Sequence, residues 1–167
     1  MMPTNRTRTR LIQLTLVAGA LAVLATGADH LEEYTVNQFS SVPTIGTLFL
    51  LNFIGGTVLG LYLLVPASAN VGRFRRAADA LVALAGLGLA ATGLISLFVS
   101  EQTPLFGFME HGYRIEIVVA IVAEAVAIVA LSAFLLLSHH AAGGRSRVPS
   151  RHGGPVRIVP AGTGSKP

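Results

Sequence analysis

Four long apolar stretches constrain this chain more than any other feature of its sequence. They cover residues 11–28, 44–65, 80–99 and 115–137, and few charged side chains interrupt them. About 20 consecutive apolar residues are enough to cross the hydrocarbon core of a bilayer as a helix. Every backbone polar group in lipid needs an internal hydrogen bond, and the stretches lack the alternation of barrel strands, so each is predicted to be a spanning helix. We therefore predict an all-α, integral membrane four-helix bundle, with residues 1–138 as one transmembrane domain.

The composition supports a membrane protein and excludes several classes of function. Hydrophobic residues make up 52 % of the 167 residues and charged residues only 12 %, which is too little charge for the surface of a soluble domain. The chain has no cysteine, so disulfides, thiolate catalysis and cysteine-bound metal centres are excluded. No cofactor is predicted. Because the arginines are explained by membrane topology, we expect the lipid bilayer, other membrane proteins or a second copy of the chain as partners, and no nucleic acid.

The basic residues predict the orientation of the helices. Eleven of the twelve Lys and Arg residues precede the first stretch, lie between the second and third, or follow the fourth, and only Arg114 lies on the other side. By the positive-inside rule, both termini are predicted to be cytoplasmic in a multi-pass protein of the cytoplasmic membrane. Residues 139–167 combine glycine, proline and spaced arginine, and are predicted to be a disordered basic cytoplasmic tail. The first stretch also resembles a cleaved signal peptide, which would leave three helices in the same orientation.

Glu124 is the charged residue that lies deepest in an apolar stretch. It lies near the centre of the fourth stretch, where a charge exposed to lipid costs several kcal/mol. We therefore expect it to face the bundle interior, a water-filled cavity or a partner, as a site for a proton or a cation. Glu116 and Asn52 are further candidates, although pairing of Glu116 with Arg114 and interhelical bonding by Asn52 are alternatives. A protonated, hydrogen-bonded Glu124 with a structural role also stays open.

Two histidines and several carboxylates, Asp29 among them, lie in the predicted outer loops. His30 and Glu33 follow the first stretch, and Glu110 and His111 precede the fourth. Imidazole and carboxylate groups are ligands of zinc and of non-haem iron, so a metal site is one interpretation, and a haem between the two histidines is another. The pattern shows no local ligand spacing, however, and it favours a solvated acidic rim.

An apolar segment, 104–109, lies in the second predicted outer loop. It is too short to span a membrane and is expected to lie at the headgroups or against the bundle. Aromatic side chains and methionine are enriched at protein interfaces, so Phe106, Phe108 and Met109 are candidates for docking a partner.

Three segments of the chain are distinctive as a set. They are HLEEY at 30–34, VPTIGTLFLLN at 42–52 and PLFGFMEHGYR at 104–114. Together they resemble a family of small four-helix integral membrane proteins of actinobacteria. The resemblance covers about residues 11–138 and leaves out the tail. It implies a membrane location and a four-helix architecture, and it implies no catalytic residue.

Three classes of function are compatible with these features. The sequence favours an accessory or scaffold subunit of a membrane assembly, because the chain is small, has short loops and lacks a soluble domain. A small proton- or cation-coupled transporter built around Glu124 is the alternative. A metal- or haem-dependent membrane redox protein is the second alternative. An enzymatic activity has the least support, since no nucleophile and base can be paired from the sequence.

Overall fold

The computed structural model of the protein describes residues 5–65, 72–109, 112 and 114–143. The helices are α1 (Asn5–Thr35), α2 (Ile45–Leu64), α3 (Gly72–Gln102) and α4 (Ile115–Gly143). Each of the four is long and apolar enough to cross a membrane, which confirms the predicted all-α fold with four helices of spanning character. Their orientation across the membrane stays a prediction.

The helix α1 extends well beyond the apolar stretch that predicted it. The prediction ends this helix at residue 28, whereas the helix ends at Thr35. Hydropathy marks only the part of a helix suited to lipid, while the backbone hydrogen bonds continue through 29–35 because no proline or glycine interrupts them. Asp29, His30 and Glu33 therefore lie on a helix, which corrects their predicted place in an outer loop.

The helix α4 also continues past its apolar stretch and ends at Gly143. His139 and His140, at the start of the predicted disordered tail, are exposed residues of its last helical part. The rest of the predicted tail, residues 144–167, lies outside the described residues.

The helices run alternately up and down, and α1 packs against both α2 and α4. The helix α3 completes the bundle against α4 and, more loosely, against α2. The beginning of α1 meets the end of α4, where the Arg8 guanidinium donates a hydrogen bond of 3.2 Å to the Leu137 carbonyl. We call this the basic end of the bundle, and the opposite end, with segments 36–44 and 103–109, the loop end.

Close packing fills the half of the bundle towards the basic end. A Cβ atom on Gly56 would lie 3.0 Å from the Val23 carbonyl oxygen, and one on Gly60 would lie 3.0 Å from that of Ala20. Small residues that let two backbones approach in this way are a main source of attraction between helices in lipid. The buried apolar cluster consists of Ala20, Ala22, Val23, Leu63, Ala83, Ala90, Ala127, Leu131 and Phe134.

Two short connections cover the loop end. Between α1 and α2, Phe39–Ser41 form a turn of 3-10 helix. Between α3 and α4, the backbones of Leu105 and Phe108 bond to each other around a tight turn, in which Phe106 has a φ of 52° and Gly107 a φ of 82°. The Phe39 and Phe108 rings pack edge to face with their centroids 5.0 Å apart, so the two connections meet above the bundle interior.

Candidate functional site

The extension of α1 carries three ionisable side chains into the bundle. Asp29, His30 and Glu33 are spaced by one and by three residues, which places them on one side of a helix, and all three are buried. Buried charged residues are rare in proteins unless they are paired or functional. Their burial is therefore a first indication of a site in the loop half of the bundle.

A cavity of about 410 Å³ lies in this half, between all four helices. Sites for small molecules range from about 300 to 1,000 Å³. Its walls are mostly apolar and include Phe49, Leu89 and Leu97. The polar residues that line it are Asp29, His30, Glu33, Asn52, Thr92, Ser96, Ser100, Arg114 and Glu124. A few polar groups set in apolar walls are typical of a binding site.

Glu124 is the α4 residue that lines the cavity farthest from the loop end. It follows the start of α4 by nine residues, which corresponds to about 14 Å along the helix axis. Its side chain is only 2 % exposed. Among the described residues, none donates a hydrogen bond to its carboxylate. Glu124 thus presents an unpartnered, buried carboxylate to the cavity.

The backbone of α3 shapes the position of this carboxylate. A Cβ atom on Gly93 would overlap Oε1 of Glu124, and the three atoms nearest to such a Cβ all belong to Glu124. Only a glycine leaves this space open. The carboxylate therefore occupies a slot that the absence of a side chain at Gly93 creates.

A second carboxylate lies near Glu124. Asp29 lies close enough for its charge to act on that of Glu124. Asp29 in turn experiences the charges of three further carboxylates, Glu33, Glu32 and Glu116. Arg114 is the basic residue that acts on Asp29 in the opposite sense. Like charges in an apolar cavity repel strongly, so a proton or a cation bound between them is favourable.

Two neutral groups complete the polar lining. The Oδ1 atom of Asn52 is buried and has no hydrogen-bond partner, so it can accept from an ammonium group or coordinate a metal cation. The ring of His30 lies edge to face with Phe49, with centroids 5.1 Å apart. Its Nδ1 atom lies 2.8 Å from the Thr26 carbonyl, which can only accept, so Nδ1 carries the proton and Nε2 is the acceptor of the neutral ring.

An ion pair and the Phe39–Phe108 contact lie at the loop end of the cavity. The Arg114 Nη2 atom donates to Glu33 Oε2 at 3.4 Å, and both residues line the cavity. This contact joins the end of α1 to the residue that precedes α4. The four residues of these two contacts all line the cavity, so the contacts form its wall towards the loop end.

The cavity brings together residues that the sequence suggested for different roles. Glu124 and Asn52, proposed for a proton or cation, share it with His30 and Glu33, proposed for a metal. Glu116 is half-buried and is not among the described residues that line the cavity.

The metal interpretation gains no support from the described part of the chain. Within it, no group of three His, Asp or Glu residues is arranged to hold a metal ion. Glu110 and His111, the other two suggested ligands, lie outside the described residues.

The three docking candidates separate in the structure. Phe108 lines the cavity and packs on Phe39, whereas Phe106 is 61 % exposed at the tip of the turn. Met109 is half-buried. Only Phe106 therefore presents a large apolar surface to the outside.

Sequence reasoning missed Asp29 and Gly93 as parts of the site. The sequence prediction places Asp29 in the acidic rim of a loop, whereas it lies on a buried face of α1. The available signal is the absence of proline and glycine from residues 28–35, which lets the helix continue. For Gly93 no signal existed, because its role depends on the rotation of α3 relative to α4.

No protein-family model, no curated protein and no solved structure matches this chain. Its function is therefore inferred from the cavity.

Proposed function

We propose that this protein is a small membrane carrier that exchanges a proton for a cation at Glu124. The observation that supports the proposal is a carboxylate, 2 % exposed, that faces a cavity of small-molecule size and receives no hydrogen bond from the described residues. An unsatisfied buried carboxylate is costly, and either a proton or a bound cation removes that cost. A structural Glu124 would need a partner that the described residues do not supply.

The surrounding charges fit an exchange. Because Asp29 and Glu124 repel each other, the empty, doubly charged site is unfavourable. A proton and a cation relieve the same repulsion, so the binding of one opposes the binding of the other. Mutually exclusive binding at one carboxylate is the minimal requirement for coupling their movements.

We further propose that the protein lies in the cytoplasmic membrane with both termini inside. The support is the accumulation of arginines before α1, between α2 and α3, and after α4. In this orientation the loop end faces outwards, and the cavity lies in the outer half of the membrane.

The proposal can be tested in proteoliposomes that contain a pH-sensitive dye. Sodium, guanidinium and tetraphenylphosphonium would be added outside in turn, and the internal pH would be recorded. We expect at least one of these cations to move protons in the wild type, and Glu124→Gln to slow that movement at least tenfold.

The matched control is Glu101→Gln, which makes the same change in α3 at a residue that does not line the cavity and whose charge acts on neither Asp29 nor Glu124. It should retain the wild-type rate. The carrier function would be contradicted if none of the three cations moved protons, or if the Glu124→Gln variant moved them at the wild-type rate.

An accessory subunit of a membrane assembly is the second candidate, because Phe106 exposes an aromatic ring at the loop end. Purification in mild detergent should then yield a defined complex with another membrane protein. Phe106→Ser should release that partner, whereas Val36→Ser, at another exposed apolar residue of the same end, should not. Recovery of the chain alone or as a homo-oligomer would contradict this candidate.

A further inference from the structure

The wall of the cavity between α2 and α3 is open to the side of the bundle. Leu48 and Leu51 on α2, and Gly88 and Thr92 on α3, line the cavity and are also exposed. Leu51 is 58 % exposed. A Cβ atom on Gly88 would meet no other atom within 4 Å. Residues that face both the cavity and the outside mark a lateral opening.

The helices α2 and α3 contact each other closely between this opening and the basic end of the bundle. Towards the basic end, Arg75 Nη2 donates a hydrogen bond of 2.6 Å to the Val65 carbonyl at the end of α2, and the guanidinium lies 4.8 Å from the centroid of the Tyr62 ring. Gly55 packs so closely on Leu89 that a Cβ atom there would lie 2.9 Å from Cδ1. The gap is therefore confined to the loop half.

The opening lies at the depth of the hydrocarbon core. The candidate span of α3 covers Phe74–Gln102, and Gly88 lies at its midpoint. By contrast, the Phe39–Phe108 contact and the Glu33–Arg114 pair cover the loop end. A solute dissolved in lipid thus reaches the cavity through the opening, whereas a solute in water meets the Glu33–Arg114 pair and the two aromatic rings.

We infer that the cavity takes up a small apolar organic cation from the lipid, through the opening between α2 and α3. This inference rests on the proposed cation site at Glu124 and assigns it a substrate class and a route. An apolar body suits walls that include Phe49 and Leu97, and its charge suits Asp29 and Glu124. A lipid acyl chain would leave those carboxylates without a counter-charge, and an inorganic cation would leave the apolar walls unfilled.

Binding to the purified protein in nanodiscs tests the substrate class. Radiolabelled tetraphenylphosphonium and guanidinium serve as the apolar and the polar probe, with empty nanodiscs subtracted as background. We expect the wild type to bind tetraphenylphosphonium at least tenfold more tightly than guanidinium. Glu124→Gln should weaken that binding at least tenfold.

The association rate of tetraphenylphosphonium tests the route. Gly88→Leu places a side chain in the opening, and Leu51→Trp narrows it independently from α2. Each should slow association about tenfold. Ala85→Leu enlarges an exposed residue of α3 that does not line the cavity. Tetraphenylphosphonium should associate with this variant at the wild-type rate.

The outcomes separate this inference from the carrier function. Wild-type association in both Gly88→Leu and Leu51→Trp would overturn the lateral route. Tighter binding of guanidinium, or no binding of tetraphenylphosphonium while sodium still moves protons in proteoliposomes, would overturn the substrate class and leave the carrier function intact. Failure of all three cations to move protons would instead overturn the carrier function, and with it this inference.

Discussion

The two halves of the bundle are built from the same four helices but differ in what those helices bury. Towards the basic end, Gly56 and Gly60 bring α2 against the backbone of α1, and apolar side chains fill the remaining space. Towards the loop end, the helices surround a cavity and bury Asp29, His30 and Glu124. Hydropathy alone therefore does not distinguish the closely packed interior of one half from the polar cavity of the other.

This difference between the two halves separates the contacts that stabilise the fold from the groups that are available for a function. Close backbone contact stabilises helix association in lipid, whereas buried carboxylates and a cavity oppose it. Proteins tolerate such a local loss of stability mainly at functional sites. We therefore expect substitutions in the basic half to lower the free energy of unfolding, and substitutions in the loop half to change binding without lowering it.

The largest effect on stability is expected for Gly56→Leu. Its new side chain meets the Val23 carbonyl and the Gly27 Cα, which are backbone atoms that cannot turn aside. We expect a loss of about 3 kcal/mol in the free energy of unfolding, at the upper end of overpacking effects. SDS-induced unfolding followed by circular dichroism measures it.

Gly88→Leu is the matched control, since it makes the same change where a Cβ meets nothing within 4 Å. Its free energy of unfolding should stay within about 0.5 kcal/mol of the wild type. Equal losses for the two variants would show that the halves do not differ in packing.

A gain of stability is expected for Glu124→Leu, because it makes the loop half resemble the basic half. The substitution removes a buried carboxylate that receives no hydrogen bond from the described residues and fills part of its space with apolar atoms. We expect a gain of about 1–2 kcal/mol in the free energy of unfolding, together with loss of cation binding. Glu124→Gln should gain less, because a buried amide still lacks partners. A destabilised Glu124→Leu variant would indicate a structural carboxylate.

Much of the fold could be predicted from the sequence, because lipid leaves few choices to a long apolar segment. The number of helices and the burial of Glu124 followed from that constraint alone. The end of α1 did not, since hydropathy reports where lipid suits a helix and says little about where its hydrogen bonds stop. The sequence therefore predicts a loop for the acidic segment after residue 28, whereas Asp29 and Glu33 lie on a buried helix face.

The composition of the site could be predicted only in part. The sequence predicts four of the residues that line the cavity, each from its own residue type and neighbours: Glu124, Asn52, His30 and Glu33. That they share one cavity depends on how four helices are rotated and spaced. Those variables are set by packing contacts far apart in the chain, such as Gly56 on Val23, which a pattern within one segment does not contain.

A smaller loss is expected for Arg75→Gln, which tests how α2 and α3 are joined below the opening. The guanidinium donates to Asp79 at 2.6 Å and to the Val65 carbonyl at 2.6 Å, where the end of α2 has unpaired carbonyl groups. Because the pair lies near the water boundary, we expect a loss of about 0.5–1 kcal/mol in the free energy of unfolding. Arg10→Gln, at an exposed position of α1, is the control and should lose less. Equal losses of stability in the two variants would show that Arg75 contributes no more to the free energy of unfolding than an exposed arginine does.

The smallest effect on stability, with a large effect on binding, is expected for Gly93→Ala. The added Cβ overlaps the Glu124 carboxylate, which is the end of a flexible side chain and can move aside within the cavity. The free energy of unfolding should therefore change by less than about 0.5 kcal/mol, while tetraphenylphosphonium binds about tenfold more weakly.

The control is the same substitution in a Glu124→Ala background. All three atoms closest to the new Cβ belong to Glu124, so removing that side chain leaves Gly93→Ala without a clash. If Gly93 acts only through the carboxylate, the two substitutions should be strongly non-additive, and Gly93→Ala should not weaken the residual binding of the Glu124→Ala protein further. Additive losses would instead mean that Gly93 shapes the cavity by another contact, and that the slot does not position Glu124.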